Sequence, residues 1–420
     1  MNKWHKVTAY TILSLLLVSG CSNDNNNHKD DDDMEEMDHG NSNDNNNSKT
    51  SSNKESFVQA PKAFNSQASE GLITLNTKNI TRLISDGPVD TSIMVAQMIW
   101  PATHKENQPG TVILAPVENW QLTMASANLI HQPNNGPILF TQQGQLTQQV
   151  MNEINRLNPN GNVNGTQILV MGEYSESMKS QLAEYKVDQI ATTQPAVFAA
   201  FVDEAYANVS DGEYSQSVIV VALEDESQLY SLPAVNWIAH MPEPVLFVAK
   251  DEIPEATSQA LAKRKDAQVY IVGPESVISV EVEKELKNYG KVTRISGETP
   301  TQNSIAFAQF KDEKTGFGWG LKEPGHGVSF ISTKTPELAL GAAPFSHLGK
   351  HAPLLFLEDG KVNAAMYEFL ATIKPTFKKE PSKGPYNHGF LIGSEATISY
   401  QTQGILDDKL EIVSEDGNGH

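Results

Sequence analysis

Cys21 is the sole thiol in a chain of 420 residues, and it stands directly behind Val18-Ser19-Gly20. One cysteine cannot form an internal disulfide, which leaves the chemistry of a single free or modified sulfur. Elsewhere few side chains have chemical reach. His347 and His351 lie four apart in HLGKH. That spacing lets two imidazoles share a metal on one helix face, but Gly349 and Pro353 argue against a helix, and the pair reads as solvated or hydrogen-bonded. Glu224, Asp225 and Glu226 form the densest acid cluster of the folded part. They are a candidate loop for a divalent ion that bridges to an anion, set against a plain acidic turn. Thr315–Gly320, TGFGWG, is glycine-rich but does not sit between a strand and a helix as phosphate cradles do. There is no H-E-x-x-H, no G-x-S-x-G and no Walker loop, so the expectation is no catalytic constellation, no resident metal and no cofactor.

The elements that would carry these residues begin after an address and a tether. Residues 1–21 hold Lys3 and Lys6, then the apolar run Ile12–Val18. A membrane span needs about 20 apolar residues, so this run reads as a secretory signal. Its V-S-G-C ending resembles a bacterial lipobox, which makes Cys21 the expected lipid-bearing atom and the outer face of the membrane the expected location. Residues 22–56 are mostly Asn, Asp, Ser and Lys, with ten acidic against three basic residues over 22–55. Such a stretch buries too little to offset its ordering entropy and reads as a disordered spacer with a reach of roughly 30 Å. His28 and His39 lie among its carboxylates but have no fixed geometry there. The tail 414–420 is expected to be disordered as well.

From about residue 78 the chain repeats itself three times. GPILFTQQGQLTQQVMNEINRL at Gly136, EPVLFVAKDEIPEATSQALAKR at Glu243 and APLLFLEDGKVNAAMYEFLATI at Ala352 share one apolar pattern. Pro137, Pro244 and Pro353 are thereby equivalent, 107 and 109 residues apart. Runs from Gln167, Gln268 and His388 each read strand, glycine turn, helix. In the first copy the pattern predicts strands at Thr81–Ile84, Thr111–Ala115, Pro137–Thr141 and Gln167–Met171. Helices are predicted near Asp90–Ser92, over Leu122–His131 and over Leu146–Leu157. Short apolar strands alternating with helices call for parallel sheets with helices on both faces. Continuous apolar runs such as Val218–Ala222 and Val269–Gly273 fit strands buried on both sides. The expected fold is therefore α/β, with closely packed units over 78–188, 189–293 and 294–413. The alanine-rich stretches Met124–Ile130 and Leu338–Pro344 read as ordinary helix-on-sheet packing.

Charge limits the partners. The chain carries −20, of which −15 falls on residues 56–420. An acidic body lacks the Lys and Arg surface that nucleic acid requires, and any polyanion would have to be held by local donors against a repulsive field.

RISGETPTQNSIAFAQF from Arg294, the preceding VYIVGPESVISVEVEKELKNYGKV and the Pro-aliphatic-Leu-Phe strands together resemble the type 2 cell wall-binding repeat of Gram-positive surface proteins. That resemblance implies three tandem α/β modules about a pseudo-threefold axis, attached noncovalently to anionic wall polymer. It also marks departures. The family's second arginine falls on Pro88, Pro195 and Pro300. Its first is kept as Arg82 and Arg294 but is Gln189 in the middle copy. Its helix-opening Asp aligns with Leu122, Leu229 or Tyr230, and Leu338. Loss of an Arg and an Asp together suggests an internal ion pair exchanged for apolar packing, which can leave a fold intact. Arg82 and Arg294 are the candidate polymer contacts, with hydrogen bonding to strand ends as the competing role. The expectation is a non-enzymatic lipoprotein, anchored to the bacterial membrane by lipid, whose repeats meet wall polymer or a wall-associated protein. An extracytoplasmic small-molecule or solute-binding lipoprotein is the alternative.

Overall fold

A computed structural model describes residues 55–348 and 351–415, so the signal segment, Cys21, nearly all of the spacer and the last five residues lie outside the described residues. The strand β1 (Ile80–Leu83) comes first. It is followed by β2 (Val112–Pro116), β3 (Ile138–Thr141), β4 (Ile168–Met171) and β5 (Val187–Ile190), of which the last four make one sheet in the order β3-β2-β4-β5. β6 (Ser217–Ala222), β7 (Val245–Val248), β8 (Ala267–Val272) and β9 (Gly290–Ile295) repeat that order as β7-β6-β8-β9. β10 (Gly327–Ser332), β11 (Leu354–Leu357), β12 (Thr376–Phe377), β13 (His388–Ile392) and β14 (Val413–Ser414) complete the strands. The third large sheet runs β11-β10-β13-β1, and β12 pairs with β14. All of these pairings are parallel.

The strand expected to open the first copy thus lies in the sheet of the third, with Ile80 opposite Gly389 and Leu83 opposite Ile392. This is a regular handover. β5 and β9 fall at the starts of the second and third sequence copies, yet each hydrogen-bonds to the sheet of the copy before it. β1 does the same by joining the last sheet, and the three units close into a ring.

Helices follow the same rule. Pro88, Pro195 and Pro300 each occupy the first turn of a helix, over Pro88–Ile99, Pro195–Val209 and Pro300–Gln309. Proline suits that position because its missing N–H would be unpaired there anyway. Pro88–Ile99 packs on the helix Leu338–Ala342 of the third copy and on β3 of the first. Pro195–Val209 packs on Trp120–Ser126 and β7, and Pro300–Gln309 on Gln228–Ser231 and β11. Each helix is wedged between the unit it leaves and the unit it introduces. Leu122 and Leu338, where the resemblance leads one to expect Asp, are 1 % and 0 % exposed, so apolar packing stands at those points.

The alanine-rich stretches do more than cover sheets. Trp120–Ser126 with the following turn Ala127–Leu129, Val235–Ile238, and Leu338–Ala342 with the turn Ala343–Ser346 touch one another at the centre. Ala125, Ala127, Ala234, Ala339, Ala342 and Ala343 are all buried there, because small side chains permit that approach. Asn128 Nδ2 donates to the Glu243 carbonyl at 3.3 Å, and Asn236 Nδ2 to the Ala352 carbonyl at 2.7 Å. Both acceptors immediately precede an equivalent proline, so the same bond is made from copy one to two and from two to three. One hydrophobic core, from Leu83 to Ile392, includes residues of all three units, and a second lies within the third sheet's layer.

Candidate functional site

The repeated pattern of turns decides what the predicted site residues do. After β4, β8 and β13 the chain turns at Gly172, Gly273 and Gly393, all at positive φ (87°, 138° and 130°) that L side chains rarely adopt. Arg294 Nη1 donates to the Gly273 carbonyl at 2.9 Å, and its Nε to Glu283 Oε2 at 2.8 Å. Gln189 Nε2 donates to the equivalent Gly172 carbonyl at 2.7 Å. The middle copy therefore keeps the bond although it has lost the arginine. Arg82 is 6 % exposed and donates through Nη2 to the Ile398 carbonyl, beside the turn after β13. Its Nε and Nη1 are buried with no hydrogen-bond partner among the described residues, and burial holds its pKa below the usual arginine value. Both arginines thus donate to backbone carbonyls, Arg294 at the turn that ends β8 and Arg82 just ahead of the helix Tyr400–Leu410.

The acid loop is similarly engaged. Glu224 Oε1 accepts from the Lys250 amide at 2.9 Å, as Glu118 does from Gln143 and Thr333 from Asp359. Asp225 Oδ1 accepts from Trp120 Nε1 at 2.9 Å, across the seam between the first two units. Glu226 is exposed. Two of the three carboxylates already hold protein donors, although Asp225, like Glu226, remains exposed. At the corresponding rim of the first sheet, Pro116, Glu118, Thr141, Gly144 and Gly172 line a recess of about 310 Å³. It lies beyond the carboxyl ends of parallel strands, where such sheets receive ligands. The glycine-rich stretch Thr315–Gly320 packs inward: Phe317 stacks on Tyr270 at 3.8 Å between ring centroids, and Trp319 stands edge-on to Trp237 at 5.0 Å.

At the opposite, amino ends of the strands the three copies meet in a cluster of imidazoles. His131, His240 and His347 each follow a central alanine-rich segment and precede Pro137, Pro244 or Pro353, and one nitrogen of each lies within 4.8 Å of the other two. His131 Nδ1 and His347 Nδ1 are 2.9 Å apart, and His347 Nε2 is 3.0 Å from Asn135 Oδ1. A carbonyl oxygen accepts only, so Nε2 of His347 carries the proton and its Nδ1 presents a lone pair; the short contact then places the shared proton on His131 Nδ1. His240 Nδ1 is buried with no hydrogen-bond partner among the described residues. His351 sets its ring edge-on to His240 at 4.4 Å. Burial lowers His131; burial, then the charges of His351 and His131, push His240 down to about 4; burial, then the other three histidines, push His347 down to about 3. Burial thus favours the neutral imidazoles, with the Nδ1 lone pair of His347 accepting from His131.

The spacing within one copy pairs His347 with His351 and points to no metal, whereas in the fold His347 meets histidines of the other two copies. The signal was present as a register: one histidine stands four or six residues before each repeated proline.

No protein-family model matches the sequence. The chain is 24 % identical over 370 residues to the amidase enhancer of Bacillus subtilis (strain 168), covering 86 % of this chain and 44 % of that protein. Among solved structures it is similar to Cwp6 from Clostridium difficile, with a TM-score of 0.63 at 14 % identity over 83 % of this chain and 50 % of the other. It is also similar to Cwp8 from the same organism, with a TM-score of 0.61 at 17 % identity over 80 % and 52 %. The chain spans about half the length of the relatives it matches. The two structures share its fold of repeated α/β units.

Proposed function

We propose that this protein is a non-enzymatic lipoprotein on the outer face of the cell membrane, whose three-copy body associates with anionic cell wall polymer or with a wall-associated protein. The observation that carries this reading is the closed ring of three handed-over units, a fold shared with Cwp6 and Cwp8 over four fifths of the chain. The likeness to an amidase enhancer over 86 % of the chain supports a role beside wall-processing enzymes rather than as one. Membrane attachment rests on Cys21 and the V-S-G-C ending; among the described residues no helix is long and apolar enough to cross a membrane.

Polymer contact on this reading uses the strand-end rims. The recess at Pro116, Glu118 and Gly172 offers backbone and carboxylate groups. With −15 on residues 56–420, a polyanion is met through local donors or through cations held by exposed carboxylates such as Glu226. Arg82 and Arg294 shape the rim by fixing its turns. The test is a pull-down on purified cell walls before and after chemical removal of the anionic polymers. Binding that disappears with the polymers supports polymer recognition, and binding that persists points to peptidoglycan or a wall protein. Absence of binding to either preparation contradicts the proposal.

A further inference from the structure

One histidine from the corresponding turn of each copy, ahead of the repeated proline, converges on one point. Surface chemistry does not require this arrangement, since the imidazoles lie at the meeting of the central helices and His347 is 3 % exposed. Clustering three imidazoles where water is scarce is unfavourable whenever one of them charges, so the cluster calls for an occupant that neutral nitrogen lone pairs stabilise. A divalent transition ion has that chemistry.

We propose that His131, His240 and His347 bind one zinc ion on the pseudo-threefold axis, so that a single metal ties the three repeat units together. Three neutral histidines with a fourth position left open is an established zinc donor set. Tetrahedral zinc with bonds of about 2.0–2.1 Å separates its ligand nitrogens by roughly 3.3–3.4 Å. The 2.9 Å pair of His131 and His347 opens slightly to reach this, and the remaining nitrogen, now within 4.8 Å, closes in. The proton that His131 shares with His347 moves to Nε2 of His131 as Nδ1 takes the metal, so no net charge is left on the protein. Asn135 Oδ1, 3.0 Å from His347 Nε2, holds that ring in the tautomer whose Nδ1 faces the site. The buried, unpartnered Nδ1 of half-buried His240 is an orphaned atom that such an ion would satisfy. Oxygen-preferring ions such as calcium and magnesium do not suit three imidazoles.

The experiment uses the untagged full chain carrying Cys21→Ser, His28→Ala and His39→Ala, so that the N-terminal stretch offers neither thiol nor imidazole. Metal-free protein is titrated with zinc chloride by calorimetry, with metal content measured after dialysis, and cobalt(II) serves as a spectroscopic probe. The expected result is one zinc per chain, a cobalt spectrum of four-coordinate type with nitrogen ligands, and a melting temperature raised by several degrees. His131→Ala, His240→Ala and His347→Ala should each abolish stoichiometric retention. Asn135→Ala should weaken binding by about 10-fold or more, as loss of a partner behind a ligand does. Circular dichroism of the metal-free variants separates loss of a ligand from loss of the fold, and the more conservative His347→Gln provides a second variant should His347→Ala fail to fold. Unchanged zinc retention in folded variants lacking these histidines, or no retention by the parent chain, overturns the proposal.

Discussion

His131 and His347 stand 216 positions apart in the chain, yet their Nδ1 atoms are 2.9 Å from each other. The contact follows from the ring. Each unit passes its next strand and helix to the sheet before it, β1 returns to the third sheet, and the residues just ahead of β3, β7 and β11 are brought to one axis. Local sequence sets the histidine at each repeat, and nonlocal closure makes the three into a cluster.

Closure should be measurable as stability. Ile80 in β1 is fully buried against the third sheet. Ile80→Ala is expected to cost about 2–5 kcal/mol, as deletion of a buried aliphatic side chain does. Urea unfolding monitored by tryptophan fluorescence would check this, and a loss under 0.5 kcal/mol, on the order of a surface substitution, would mean that β1 does not close the ring.

Within the second unit, where the helix Pro195–Val209 packs on the helix Glu255–Leu261, lies a buried ion pair. Arg264 Nη2 and Nη1 lie 2.6 and 2.9 Å from the two oxygens of Asp203, with side chains 0 % and 4 % exposed. Removing one partner leaves the other charge buried, so Asp203→Ala should destabilise by about 3–5 kcal/mol, while Asp203→Leu with Arg264→Met should recover most of that. A double-mutant cycle gives the comparison. Equal losses in the single and double variants would contradict it.

Lys374 supplies a pH dependence with a definite sign. It is 8 % exposed, donates to the Asp408 carbonyl at 2.6 Å, and burial lowers its pKa from 10.5 to about 8. Between pH 8 and 10.5 the unfolded chain therefore holds the proton more often than the folded one, so this residue's contribution makes stability rise with pH across that window. Below pH 8 the charged ammonium is a standing cost. Lys374→Met should flatten the rise and be more stable at pH 7 by about 1–2 kcal/mol, since residual solvent contact screens part of the shift. Denaturation midpoints at pH 7, 9 and 10 test this, and an unchanged slope in the variant would refute it.

Membrane attachment is expected to depend on one atom. Cys21→Ser should leave unprocessed precursor or release the protein into the medium, read by fractionation and intact mass. Unchanged partitioning with unchanged mature mass would remove the lipid anchor from the account.

Much of the fold was readable because it is local. The predicted strands at Thr111–Ala115, Pro137–Thr141 and Gln167–Met171 fall within one residue of β2, β3 and β4 at each end, since apolar runs bounded by turn residues report their own extent. Residues 81–84 were readable as a strand but not as a member of the third sheet, because Arg82 pairs with Leu391 and nothing near Arg82 encodes that. Gln189 reads as a lost arginine until its bond to the Gly172 carbonyl shows the role retained. The acid loop looked free because sequence cannot show that Lys250 N and Trp120 Nε1 already occupy Glu224 and Asp225. The histidines were missed because they were compared within a copy instead of between copies.

The most direct test of wall association is co-sedimentation of the full chain and of residues 56–420 with purified walls, across moderate salt and with chelator followed by calcium or magnesium. Because the body repels a polyanion and screening at physiological salt acts over about 8 Å, contacts should be short-range. The account predicts weak binding by both proteins that moderate salt leaves unchanged or improves, that chelator reduces, and that calcium or magnesium restores. Tight binding that survives chelator but collapses in moderate salt, or binding lost with the residues before 56, would contradict it.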